Sequence, residues 1–558
     1  MDAVGIVLGT KEKRSEALEF WVGIFEDCFL QLDDVVFVET ILPGTSDTVK
    51  FYGTVQYVTR FFEGAEWDSD SIRAAEGVLP VSLAFAANVA ITRVQPEIYI
   101  PPKPGDAVYR AEGKELERGL FIDKMERKVP AGILRTGEPY FINFDFLNGE
   151  NGAHLSISGI SGVATKTSYG LFLLYAILNS GLLGTEASNT RAIVFNVKGE
   201  DLLFLDKPNR KLSISEERNY QKLGLSPNAF RDAGFYSPPR PQSGILMPAT
   251  ERRQTGISVY LWTLRQVAKE RLFSFLFSDT SDDTSGLLQY VRLIESKLNK
   301  LCADGRPDWD PLPGSQEQPL YTLLDLHDDV QQDPGYWFGQ QFATHHGQIQ
   351  ALLRRIHSAS FGTEGLIRQA SEKEVKKSKI DWQTHQLTVV DIHQLSAHAK
   401  MFVVGSILRT VFREKEARGT SRPLLFVMID ELNKYAPREG WSPIKDVILD
   451  ISERGRSMGV ILLGAQQTAS EVESRVITNS SVKAIGRMDS AEVEKSEYGF
   501  LGRIFRQRAK LIAPGSMILN QPTVPTPVML NFPFPAWATR PDEVAEPDAP
   551  DEDPFKNF

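Results

Sequence analysis

The stretch His154-Leu-Ser-Ile-Ser-Gly159-Ile-Ser-Gly162-Val-Ala-Thr165-Lys166-Thr167-Ser168 decides how the rest of the chain is read. Its first residues, His154–Gly159, have strand character. They run through a glycine-bearing loop into Lys166–Gly181, where apolar residues recur at helical spacing. A loop of this kind suits phosphate. Gly159 and Gly162 let the backbone turn its N–H groups inward, and the helix start adds a field that favours anions. Lys166 is then placed to neutralise terminal phosphates, and Thr167 to offer its hydroxyl to Mg2+, with Thr165 and Ser168 completing the set. The spacing is unusual: Thr165 stands where glycine is customary before the lysine, and Gly159 lies seven positions ahead of Lys166. Taken alone, the segment also fits an ordinary strand-to-helix turn.

A second segment gives that reading its context. Pro423-Leu-Leu-Phe-Val-Met-Ile-Asp430-Glu431 is an apolar run that ends in two adjacent carboxylates. A buried parallel strand delivers its last residues to the ligand edge of an open α/β sheet. There Asp430 can hold the water shell of Mg2+, and Glu431 can orient and deprotonate an attacking water. A strand leaving into a polar loop would look similar, but two half-sites in the expected order are harder to produce by chance.

The third segment runs from Ser452-Glu-Arg454-Gly-Arg456 through Val460-Ile-Leu-Leu-Gly-Ala-Gln466-Gln467. It reads as a basic helix end followed by a strand that finishes in amides. A strand-end glutamine suits sensing of a terminal phosphate, and an exposed arginine can enter a neighbouring subunit's site. The plain alternatives are a helix C-terminal charge for Arg454 or Arg456, and a strand cap for the amide.

Outward from these sites, apolar β-rich runs at Arg191–Val197, Gln386–Ile392, Leu424–Asp430, Gly459–Ala465 and Val482–Met488 alternate with helical patterns such as Ala399–Arg418 and Lys445–Arg456. This alternation predicts a mostly parallel sheet covered on both faces. Residues 203–379 are polar and mainly helical, with helices expected at Ile257–Phe277 and Ser285–Leu301, and read as an insertion. Before residue 135, short β-branched and aromatic runs at Val35–Leu42, Phe51–Phe62, Val78–Ile91 and Glu97–Pro101 predict a small β-barrel or sandwich. Ser15–Gln31 reads as a helix within it. The expected division is therefore a barrel at 1–135, an α/β domain at 136–540, and a flexible acidic tail at 541–558.

Composition bounds the function classes. At 558 residues the chain exceeds what one core usually serves. No run is apolar enough to span a bilayer, and the first residues lack an export pattern. Cys28 and Cys302 lie far apart without metal spacing, which points to a reduced, cytoplasmic setting. The net charge of −10 argues at first against nucleic acid, but the last 18 residues hold seven carboxylates against Lys556, so the body carries only −4. A body so mildly acidic can line one channel with cations. Arg503, Arg506, Arg508 and Lys510 form the densest basic cluster near the α/β domain, a candidate for sequence-independent phosphate contacts. His345-His346, Arg354-Arg355 and Lys373–Lys379 read as solvated surface.

The three segments together, behind a β-barrel, resemble the HerA branch of the HerA–FtsK translocase family. The resemblance covers nearly the whole chain, with its specificity in those segments. It implies a RecA-like P-loop motor that uses ATP and Mg2+ and works as a homohexamer on double-stranded DNA. It also implies a partner on the barrel face: a nuclease of the NurA kind in DNA-end processing, or another effector in antiviral defence. On that pattern Lys166 and Thr167 serve phosphate and metal, Asp430 the metal's water, Glu431 is the base, Gln467 the sensor and Arg456 the finger, with Arg487 a weaker finger candidate. The alternative is an ATP-regulated scaffold ring that activates an effector without processive movement. The chain itself shows no nuclease constellation.

Overall fold

The computed structural model describes residues 2–160, 166–240, 246–277, 286–440 and 442–545. Gly162 and Thr165, two candidate loop residues, lie outside them. The chain forms two compact units.

The first unit contains Met1–Phe144 together with Tyr498–Ile512 and Ser516–Asn531, and so takes in more chain than residues 1–135. Its strands are β1 (Ala3–Val7), β2 (Glu19–Ile24), β3 (Val35–Ile41), β4 (Thr48–Phe62), β5 (Leu83–Gln95) and β6 (Ala107–Arg110). They close into a barrel in the order β1-β2-β5-β4-β3-β6. Period-two alternation builds it: Phe20, Val22 and Ile24 of β2 turn inward beside Val36 and Val38 of β3. The helix expected at Ser15–Gln31 is not formed, because this alternation gives the segment a single buried face only when extended. The strand expected at Glu97–Pro101 is also absent. Pro96, Pro101 and Pro102 leave that stretch without ladder donors at both ends. After the barrel come β7 (Lys128–Ile133) and β8 (Pro139–Asn143), an antiparallel pair.

The second unit holds β9 (Leu155–Ser158), β10 (Arg191–Asn196), β11 (Ala233–Ser237), β12 (Ile257–Val259), β13 (Leu312–Pro313), β14 (Pro319–Leu320), β15 (Leu387–Asp391), β16 (Leu425–Asp430), β17 (Val460–Gln466) and β18 (Val482–Ile485). Eight of them line up as β12-β11-β15-β10-β16-β17-β9-β18, and every pairing along this row is parallel. One strand, β17, separates the glycine-loop strand β9 from the carboxylate strand β16. This is the RecA-like order, and it places Gly159, just past β9, and Asp430 at the same sheet edge. The strands are buried on both faces, so their sequences read as unbroken apolar runs. Two later strands, β19 (Ser516–Asn520) and β20 (Val528–Asn531), return to the first unit, where β20 pairs with β7.

Residues 203–379 are not wholly an insertion, since β11 and β12 extend the sheet at its far edge. The helix expected at Ile257–Phe277 is instead β12, a short helix at Leu264–Lys269 and a turn at Phe273–Leu276. Thr263 and Gln266 form a reciprocal cap that starts that helix, and Arg271, at φ 55°, stops it. Helices at Ile214–Lys222, Leu287–Leu301, Leu323–Gln332, Pro334–Phe338, His346–Gly362 and Glu372–Ser378 supply the helical part. The tail expected at 541–558 is anchored at its start: Ala545 N–H donates to Pro208 O, and Lys211 pairs with Asp542 at 3.0 Å. Residues 546–558 lie outside the described residues. No described helix is long and apolar enough to cross a membrane.

Candidate active site

The helix Lys166–Asn179 follows the glycine loop and is buried along almost its whole length. Gly170 lets it lie close on the sheet, because a Cβ there would fall 2.7 Å from Met428 of β16. Its other side meets aromatic residues, with Tyr169 and Phe532 ring centroids 5.1 Å apart and those of Tyr175 and Trp537 5.0 Å apart. The helix start is thereby held rigidly at the sheet edge.

At the mouth of the loop, the ends of β17 and β18 clasp the backbone. Gly159 N–H donates to Gln466 O, and Ile160 N–H to Arg487 O at 2.8 Å. Lys166 is buried and reaches back so that Nζ donates to Gly159 O at 2.6 Å. Burial pushes its pKa down to about 8, partly offset by Asp430 and Glu431 and reinforced by Lys198. A lysine held in this way is charged at neutral pH and gains from an anion brought beside it.

Thr167 Oγ1 donates to Asp430 Oδ2 at 2.9 Å, and Lys198 Nζ approaches the same oxygen at 3.2 Å. The other carboxylate oxygen accepts the Glu431 N–H at 2.8 Å. These groups face a cleft of about 260 Å³ lined by Lys166, Thr167, Ser168, Asn196, Lys198, Asp430 and Arg540. A carboxylate and a hydroxyl that converge are the hard oxygen donors Mg2+ prefers, and the ammonium and helix start suit its phosphate partner. The residues fit both groups.

Glu431 sits in the left-handed region, at φ 57°, a sparsely populated conformation for a residue with a side chain. Its carboxylate accepts from Lys434 Nζ at 2.6 Å. Asp430 is the last residue of β16 and lines the cleft, whereas Glu431 follows the strand and is not among the lining residues.

Of the two glutamines, the buried one is Gln466. Its Nε2 donates to Ser156 Oγ at 2.7 Å and Ser158 Oγ at 2.9 Å, and its buried Oε1 has no partner among the described residues. Gln467 is exposed just past the strand end. Arg456 stands in the last turn of the Lys445–Met458 helix, and its guanidinium donates to the carbonyls of Gly149 and Glu150, the former at 2.8 Å. Those carbonyls precede β9, and Arg456 precedes β17, so it lies at the edge opposite the cleft of its own chain. Arg487 is exposed two positions past the end of β18, its backbone carbonyl beside Gly159. Arg508 belongs to the first unit, where both guanidinium nitrogens bind Asp33 at 2.6 and 2.5 Å, so it is engaged internally.

Lys198, Asn196 and Gln466 are the site residues the sequence reading missed. Lys198 carried a usable signal: it stands two positions beyond a buried strand whose end faces the ligand edge. Asn196 Nδ2 donates to Asp391 Oδ1 at 2.8 Å, which ties the ends of β10 and β15 beneath it.

No protein-family model and no curated protein matches the chain. Among solved structures it is similar to VirB4 of Thermoanaerobacter pseudethanolicus, at 14% identity, 75% of this chain, 98% of that chain and TM-score 0.44. It is also similar to the plasmid coupling protein TrwB in complex with ADP and Mg2+, at 14% identity, with 78% and 96% of the two chains covered and TM-score 0.46. TrwB in complex with the GTP analogue GDPNP gives 13%, 78%, 96% and 0.47. All three TM-scores are below 0.5, so residue roles rest on the geometry of this chain.

Proposed function

We propose that the chain is an ATP-driven motor of the HerA–FtsK kind that works as a homohexamer on double-stranded DNA. The observation that carries this reading is the meeting of Lys166, Thr167 and Asp430 in one cleft, with Glu431 next in sequence. Binding alone would not need a second carboxylate at the strand end; hydrolysis does.

The roles follow from position. Lys166 and the start of its helix hold the phosphates, and Thr167 and Asp430 hold the metal. Mg2+, when bound, neutralises charge on the phosphates and orients them. Glu431 leaves Lys434 and takes the proton of the attacking water. Gln466 fixes β17 against β9, so that Gln467 is presented at the strand end as the sensor. Arg456, turned from its own cleft, can act only on a nucleotide held by another subunit. Arg487 is the second candidate for that role. The barrel unit is the docking face for a partner nuclease or defence effector, which would supply chemistry this chain lacks.

The test is ATP turnover with and without double-stranded DNA. Turnover that rises on adding DNA and is lost in Lys166→Ala supports the motor. Equal rates with and without DNA would favour the regulatory ring. Equal turnover in wild type and Lys166→Ala would remove the site.

A further inference from the structure

The ion pair between Lys198 and Asp430 is difficult to reconcile with a carboxylate reserved for metal. Asp430 is buried, and its Oδ2 already accepts from Thr167 and Lys198. A divalent ion arriving at that oxygen repels an ammonium 3.2 Å from it. Lys198 therefore competes with the metal, and it must go elsewhere when the metal binds.

The cleft offers one destination. Lys198 follows β10 and Lys166 starts the helix after β9, so the two ammonium groups enter from different segments and line the same space. They are close enough for the Lys198 charge to depress the Lys166 pKa. Like charges facing one cavity are stabilised by an anion between them. Lys198 is about half exposed, on the turn Lys198-Gly199, where Gly199 takes φ 52°. Its stem is therefore free to swing, whereas Lys166 is buried and fixed.

We propose that Lys198 is a phosphate-binding residue that exchanges partners, from Asp430 in the protein alone to the terminal phosphate when a metal–nucleotide complex takes Asp430. This rests on the cleft being an ATP site. It makes Lys198 a reader of the γ-phosphate, distinguishing ATP from ADP, with release of Asp430 coupled to metal arrival.

The experiment compares wild type with Lys198→Ala and Lys198→Gln, titrating ATP and ADP by calorimetry in Mg2+ and measuring Tm with Mg2+ alone. Gln keeps a hydrogen bond to Asp430 without the charge, which guards against a variant that fails to fold. Expected is a loss of about tenfold in ATP affinity in both variants with ADP affinity unchanged, the size of one charge-assisted contact. Mg2+ alone should raise the Tm of Lys198→Ala more than that of wild type, because the metal's competitor is gone. An ATP-to-ADP affinity ratio equal to wild type overturns the proposal whatever Mg2+ does. Failure of wild type to bind either nucleotide would instead overturn the ATP site itself.

Discussion

The hydroxyl of Thr167 donates to Asp430 Oδ2 across 2.9 Å, joining a helix start to a strand end that lies 263 positions further along the chain. That bond holds the two oxygens on one side of the cleft before any metal binds. Replacing Thr167 with valine keeps the shape and removes the donor. The Mg2+ concentration for half-maximal ATP turnover should rise by about tenfold or more, while folding stability falls only by the ~1 kcal/mol of one hydrogen bond. An unchanged Mg2+ titration would take Thr167 out of the metal site.

Glu431 is held by Lys434 at 2.6 Å and sits at a strained φ of 57°. Glu431→Gln preserves size but cannot take a proton. ATP binding should survive and turnover should fall by roughly a hundredfold or more, the usual worth of a general base. Rapid-quench kinetics should show the block before phosphate release. Turnover within a few-fold of wild type would assign the proton to another group.

Much of this was legible in the sequence, for a physical reason. Parallel strands buried on both faces have to be continuous apolar runs, so β16 and β17 announced themselves, and the polar residues at their ends marked the ligand edge. The same double burial hid the register. Nothing in an apolar run tells which of Gln466 and Gln467 turns inward, and the strand period put Gln466 into the sheet against Ser156 and Ser158. Lys198 escaped because its partner is 232 positions away, a pairing that only the strand order creates. Ser15–Gln31 misled because a three-residue alternation, Phe20, Val22 and Ile24, is too short to outweigh the helical pattern around it.

His154 immediately precedes β9, in the left-handed region at φ 66°, and its Nδ1 accepts the Leu462 N–H at 2.9 Å. Burial pushes its pKa down to about 4. The unfolded chain, with a histidine near its ordinary value of ~6.5, therefore binds the proton first as pH falls. Stability from this group is fully present above about pH 6.5 and is lost progressively toward pH 4, by up to roughly 3 kcal/mol. His154→Asn retains an acceptor and tolerates the left-handed backbone but does not titrate. Urea midpoints at pH 7, 6 and 5 should fall less steeply in the variant. Parallel slopes would place the acid sensitivity elsewhere.

Arg456 gives the sharpest test of the proposed ring. Its guanidinium caps the carbonyls of Gly149 and Glu150 at the edge away from its own cleft, so any part in hydrolysis must be played on a neighbour's nucleotide. Arg456→Ala should bind ATP and hydrolyse it poorly, since one transition-state charge is missing, at a cost of about a hundredfold or more. Loss of the capping bonds alone would instead lower Tm and leave turnover per folded chain unchanged. Glu431→Gln should be inactive for a different reason, the loss of a base beside Asp430. Mixing the two variants under conditions of subunit exchange sets some intact Arg456 beside some intact Glu431. Those junctions are complete, so ATPase activity should return above that of either protein alone. A role for Arg456 confined to its own chain predicts no return, because every chain then carries a defect in its own site. Mixed rings that form, verified by native mass measurement, and yet stay silent would dismiss Arg456 as the finger and pass the test to Arg487.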